Sequence, residues 1–185
     1  MSLLDLILIA VSLSMDAFAV SICKGLSVRS VSARHALACG LWFGGFQALM
    51  PALGYFLGGQ FSAWLTRFGP WVAFLLLSII GANMVKESFG ADEALNDDFS
   101  PAAMLPLAIA TSIDAFPIGV SFAAMQVRIV PAVALIGCIT CALSALGVKV
   151  GAVFGAKYRA LAERVGGAVL IAIGLKTLMS GMGML

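Results

Sequence analysis

Two aspartates lie inside apolar sequence in the same local wording. Ser14-Met15-Asp16-Ala17-Phe18 recurs as Ser112-Ile113-Asp114-Ala115-Phe116, 98 residues later. A carboxylate near the middle of a bilayer costs roughly 2.5–3.5 kcal/mol on insertion scales, so a residue of this kind marks function. Two of them, in matching phrases and in corresponding halves, point to one duplicated unit that builds one site.

The polar residues around them are almost all oxygen donors. Asp16 has Ser12 one turn back, and Asp114 has Thr111 on its face. Gln47 and Thr140 occupy corresponding positions in two further apolar stretches, and Asn83, Ser14, Ser112 and Ser144 add more oxygens. Carboxylate, amide and hydroxyl groups suit hard divalent ions, whereas zinc and copper prefer imidazole and thiolate. The single histidine, His35, falls in a polar connection. Asp16, Asp114, Gln47 and Thr140 are therefore the expected metal ligands, with Ser14, Ser112, Thr111, Asn83, Ser144, Glu87 and Lys176 along the pathway or behind the ligands. The competing reading is a structural ion pair, for which Lys176 is the obvious partner, although one lysine does not account for two symmetric acids.

The elements that must hold these residues are membrane helices. Of the 185 residues 62% are hydrophobic and 11% charged, with a mean hydropathy of +1.07. Soluble domains are nearer 45–50% apolar and about 25% charged. Six apolar stretches approach the length needed to cross about 30 Å of hydrocarbon: 3–23, 36–57, 70–85, 101–124, 129–148 and 165–185. The first follows no basic residue and reads as a permanent helix rather than a signal peptide. The longest polar stretch, 86–100, reads as a solvated acidic loop with Asp92, Glu93, Asp97 and Asp98. A cation-gathering mouth is the other reading of that loop, and Glu87 fits either.

Lys24, Arg29, Arg34, Lys86, Lys157, Arg159 and Arg164 fall in connections one, three and five, against Arg67 and Arg128 in two and four. This bias places the odd-numbered connections in the cytoplasm and both termini outside. The halves also match in detail. Gly44, Gln47, Pro51, Gly54 and Gly58 align with Gly137, Thr140, Ser144, Gly147 and Gly151, and Gly81 with Gly174, all at an offset of 93. Three helices per half is an odd number, so the second half enters from the opposite side. The expected fold is all-α and integral to the membrane: six transmembrane helices as two inverted three-helix repeats, about 1–89 and 101–185, in one transporter domain over 1–185. Estimated helix centres put the two aspartates on the order of 7 Å apart in depth. Pro117, opposite Ala19, breaks the symmetry; it either kinks its helix or frees a backbone carbonyl to act as a ligand beside Asp114.

The paired S-x-D-A-F phrases, the run Phe43-Gly44-Gly45-Phe46-Gln47-Ala48-Leu49-Met50-Pro51 and the short acidic loop between the halves together resemble the bacterial manganese efflux pump (MntP) family, within the lysine-exporter superfamily. The resemblance covers essentially the whole chain. It implies a multi-pass inner-membrane exporter of Mn²⁺, with the family's membrane aspartates carried onto Asp16 and Asp114 and a pathway position onto Gln47. Mn²⁺ would then be cargo, and no resident cofactor is expected.

Without a phosphate-binding G-x-x-x-x-G-K-[ST] loop, an ion gradient is the expected energy source. Desolvation favours a neutral carboxyl group and a bound cation favours the charged form, so the same acids can exchange protons for metal. The expected partners are thus Mn²⁺, H⁺ and the lipid bilayer, with no nucleic acid; the oligomeric state stays open. Export of another divalent cation or of a basic amino acid is the nearest alternative. A different class, a membrane thiol–disulfide oxidoreductase, is suggested by Cys138-x-x-Cys141 with Cys23 and Cys39. Cysteines as small packing residues are the competing explanation.

Overall fold

The computed structural model describes residues 3–26, 28, 32–87, 99–155 and 159–182, with the side chains of 58–66, 84, 87, 155 and 159–163 set aside. The acidic residues of 92–98, Lys157, Arg29 and the side chain of Glu87 therefore lie outside what is described. The described chain is all-helical: α1 Leu3–Leu26, α2 Ala33–Glu87, α3 Pro101–Ser112, α4 Ala115–Ala124, α5 Ile129–Gly155 and α6 Arg159–Gly181. Among the described residues four helices are long and apolar enough to cross a membrane, and five if the bent pair α3–α4 is one span. Arg67–Asn83 is a shorter apolar stretch. Large apolar side chains such as Leu4, Leu41, Trp71, Val130 and Val153 point outward from these helices. A helix apolar on its outer surface, with its backbone groups paired internally, is what hydrocarbon accepts. This is a multi-pass membrane protein.

The helices pack by backbone approach at glycines. A Cβ built on Gly147 would press on Phe18 and Ser21, and one on Gly151 would collide with Ile22 and Gly25. Between membrane helices no hydrophobic effect drives association, so flat glycine faces allow the close contact that dispersion needs. These pairs, with Ser14 beside Thr140, set α1 and α5 parallel. Asp16 beside Lys176 and Cys23 beside Gly166 set α6 antiparallel to α1.

Within α2 the direction reverses. Its first part is antiparallel to α5, with Gly40 at Cys141 and Ala48 at Gly137. Its last part is antiparallel to α6, with Phe74 at Gly174 and Gly81 at Gly167. Because α5 and α6 themselves oppose each other, Ala33–Leu57 and Arg67–Asn83 run in opposite directions. The connection expected near 58–69 falls inside the range of α2, and the reversal is made between Leu57 and Arg67.

The fourth stretch is broken. Ser100 caps α3, its side chain accepting from the Ala103 N–H at 3.4 Å, with Pro101 at the first helical position. At Ile113–Asp114 the helix breaks, and α3 and α4 meet at 47°. Pro117 explains the break: it has no N–H for the Ile113 carbonyl, and its ring crowds that oxygen. The Phe116 N–H takes the carbonyl instead, at 3.2 Å. At its start, Phe99 stacks on His35 at 4.6 Å and lies under the Lys24 ammonium, beside the end of α1. The broken pair thus runs opposite to α1.

The end of α4 shows an unusual residue choice. Gln126 takes φ 52°, its N–H bonding the Ala123 carbonyl at 3.1 Å while the Val127 N–H bonds the Phe122 carbonyl at 2.9 Å. This is a Schellman closure, in which the left-handed position favours glycine. Gln126→Gly is expected to raise stability by roughly 0.5–1 kcal/mol, read as a higher midpoint of thermal unfolding in detergent.

Candidate metal-binding site

A cavity of about 310 Å³ lies where α1, the α3–α4 break and the second half of α6 meet, with Pro70 at its edge. Asp16 and Asp114 both line it, as does Lys176. Asp16 is supplied by the middle of a regular helix. Asp114 is the residue before the first turn of α4 and makes no capping hydrogen bond with its side chain, so its carboxylate is not used to close the helix. The partial positive charge of that helix start favours an anion there.

The Asp16 carboxylate accepts from Lys176 Nζ at 3.3 Å. The pairing that competed with a metal-ligand role for Asp16 is therefore present. The two side chains are unequally placed, with Asp16 17% exposed and Lys176 65%. No ion pair to Asp114 is formed among the described residues.

Gln47 and Thr140 do not line this cavity. They lie with Ser14 in a buried polar seam between α1, α2 and α5. Ser14 Oγ and Thr140 Oγ1 are 2.7 Å apart, Ser14 also reaches the Ala10 carbonyl at 2.6 Å, and Thr140 the Ile136 carbonyl at 2.9 Å. Two hydroxyl hydrogens are thus shared among three contacts. Gln47 donates its Nε2–H to the Leu13 carbonyl at 3.2 Å, while its Oε1 is buried without a partner. Ser112 Oγ and Ser144 Oγ are likewise buried and unpartnered among the described residues. Thr111 bonds back to its own helix, at the Leu107 and Ala108 carbonyls. Asn83 is exposed and away from the cavity lining.

The expected ligand set is thus divided into a charged part in the cavity and a neutral part in the seam, with Asp16 two residues from Ser14. The carbonyl that Pro117 releases, that of Ile113, is occupied by Phe116 rather than vacant. Sequence reasoning did not pick out Thr177, Ser180 and Pro70, which also line the cavity. Ser180 could have been found, being one turn from Lys176 on the same face of α6.

Among the described residues no group of three His, Cys, Asp or Glu side chains is close enough to hold a metal. A cation here would have two carboxylates and would take its other ligands from hydroxyls, carbonyls or water. That pattern belongs to hard ions that keep part of their hydration, not to closed thiolate–imidazole zinc sites. No disulfide joins any of the four cysteines among the described residues, and Cys23 and Cys39 are buried.

Gln47→Leu removes an unpartnered buried oxygen and one amide donor together. The Leu13 carbonyl lies inside α1 and keeps its intrahelical bond, so the lost amide donor is offset by removal of the unpartnered oxygen and thermal stability in detergent should change by less than about 1 kcal/mol. A larger loss would mean that the amide oxygen has a structural partner.

The chain was compared with known proteins. The family model described as "Mntp: Putative manganese efflux pump" matches residues 30–178. A protein of Desulfitobacterium hafniense (strain Y51) named "Putative manganese efflux pump MntP" is 54% identical over 182 residues, covering 98% of this chain and 97% of that one. Relatives of the same name from Acetivibrio thermocellus and Bifidobacterium adolescentis are 53% and 49% identical, covering 100% and 99% of this chain and 94% and 99% of their own lengths. No solved structure matches. With a family model over most of its length and relatives near half identity end to end, the chain belongs to the manganese efflux pump family, a family of transporters and not of enzymes.

Proposed function

We propose that this chain exports Mn²⁺ from the cytoplasm, with Asp16 and Asp114 as the acidic ligands of the ion. The observation that carries this reading is that two aspartates 98 residues apart line one cavity. The names of the relatives supply the metal, and the oxygen-rich donor set agrees with it.

The architecture that serves this function is one transmembrane domain of six spans, built as two inverted three-helix repeats. Its support is that backbone contacts occur as images of each other. Gly44 against Cys141 is matched by Gly137 against Ala48, and Gly81 against Gly167 by Gly174 against Phe74, at the offset of 93. Gly147 against Phe18 is matched by Gly54 against Phe116, with α1 and the fourth stretch related by 98. Such repeats permit alternating access around a central site.

With the arginine and lysine bias setting the odd connections in the cytoplasm of a bacterial inner membrane, Pro70 and Gly181 at the cavity edge lie toward the outside. The inner side is closed by the buried cluster that includes Phe43, Leu77, Met104 and Leu107. Proton antiport supplies the energy, the acids carrying protons on one leg of the cycle and metal on the other.

Two other readings lose ground on specific contacts. A basic amino acid would need a cation for its carboxylate, yet Lys176 is engaged by Asp16. Thiol–disulfide chemistry would need a reachable cysteine pair, and Cys23 and Cys39 are buried.

In a strain lacking its own exporter, wild type should lower cell manganese, and Asp16→Asn or Asp114→Asn should each abolish that effect. Export by both variants at the wild-type rate would remove the aspartates from the site. Collapse of the proton gradient should stop efflux. A variant without cysteines should export normally, whereas an electron carrier would be inactive.

A further inference from the structure

We propose that the Lys176 ammonium is a tethered stand-in for the substrate: it occupies the Asp16 carboxylate when the site is empty and is displaced by the divalent ion. This rests on the reading of Asp16 and Asp114 as the ion's ligands.

Three observations point to an exchangeable cation rather than a fixed strut. The N···O separation of 3.3 Å exceeds the 2.7–2.9 Å of a tight charge-assisted bond. The Asp16 side chain is largely enclosed while the Lys176 side chain is 65% exposed, so the lysine can leave the carboxylate without unpacking a helix. Lys176 also has no charged counterpart in the other half. At the offset of 93 that relates Gly81 to Gly174, its mate is Asn83, a neutral and exposed residue. One half of the repeat therefore carries a captive cation and the other does not.

Charge balance gives this asymmetry a purpose. Two carboxylates with a divalent ion between them are neutral, and an ammonium at the same place would leave an excess positive charge in low dielectric. Two ionised carboxylates with neither would be strongly repulsive. Lysine and metal are thus alternatives at Asp16. A free monovalent ion carries no more charge than the ammonium, which is already held close by its tether and acts at high effective concentration. Only an ion of higher charge gains by displacing it. Lys176 is in this sense a specificity-determining residue that excludes Na⁺ and K⁺ by occupying their place.

The test is calorimetric titration of Mn²⁺ into the purified full-length chain in detergent, at one ionic strength set by either potassium chloride or choline chloride. Lys176→Met and Lys176→Gln should bind Mn²⁺ at least about tenfold more tightly than wild type, because a full charge within a few ångströms outweighs that factor in a protein interior. Potassium should weaken Mn²⁺ binding in both variants but not in wild type or Lys176→Arg. Unchanged or weaker binding in the neutral variants, or the same potassium effect in all forms, overturns the proposal. So does loss of monodisperse protein in both neutral variants, which would make the lysine a structural strut. Asp16→Asn and Asp114→Asn measured alongside separate the two claims. If they bind Mn²⁺ like wild type, the underlying site assignment fails. If they lose binding while the neutral lysine variants gain none, only the displacement idea fails.

Discussion

A carboxylate held away from bulk water needs a counter-charge, a favourable dipole or a bound cation, and that requirement organises the centre of this protein. Asp16 has the Lys176 ammonium at 3.3 Å. Asp114 has no lysine or arginine of its own among the described residues and instead stands at the start of α4, where the helix dipole is favourable. That start exists only because Pro117 interrupts the helix. The same acid phrase is therefore accommodated twice by different physics, once by a side chain and once by the backbone.

The packing around the site follows from its depth. Helices that must converge on a small cavity inside lipid cannot rely on hydrophobic burial to draw them together, so they approach at glycines until backbones touch. Gly147 and Gly151 bring α5 against α1, and Gly44 meets α5 across the middle of the molecule. The neutral seam of Ser14, Gln47 and Thr140 is enclosed by these approaches. Its unpartnered Gln47 oxygen and shared hydroxyl hydrogens show a polar interface whose bonding is not fully satisfied in this arrangement.

Much of this was legible in the sequence. Composition gave the membrane class, and hydropathy gave the first four apolar stretches to within about three residues, while α5 runs on to Gly155 and α6 begins at Arg159. The repeated phrase drew attention to Asp16 and Asp114, and Pro117 to the irregular helix that carries the second of them. Facing was less legible. Gln47 and Thr140 share a register with each other, but register does not tell whether a side chain points into a cavity or into the neighbouring helix. The competing partnership of Asp16 with Lys176 was visible only as a possibility, because helices one and six are far apart in the chain. That α2 spans the reversal was not anticipated, since the apolar stretches 36–57 and 70–85 read as two helices with a connection between them. Thr177 and Ser180 carry no charge and lie in no repeated phrase, and only the one-turn spacing of Ser180 from Lys176 points to the face of α6 that meets the cavity.

The glycine contacts have a consequence for how this chain tolerates change. At Gly147 or Gly151 any side chain, however mild, meets a neighbouring backbone. At the cavity a carboxylate can be exchanged for an amide with almost no change of shape. Damage to folding will therefore track steric room, while damage to transport tracks the carboxylates. Among the positions least replaceable for folding are residues with no functional group at all, and a map of lost folding would outline the helix contacts rather than the path of the ion.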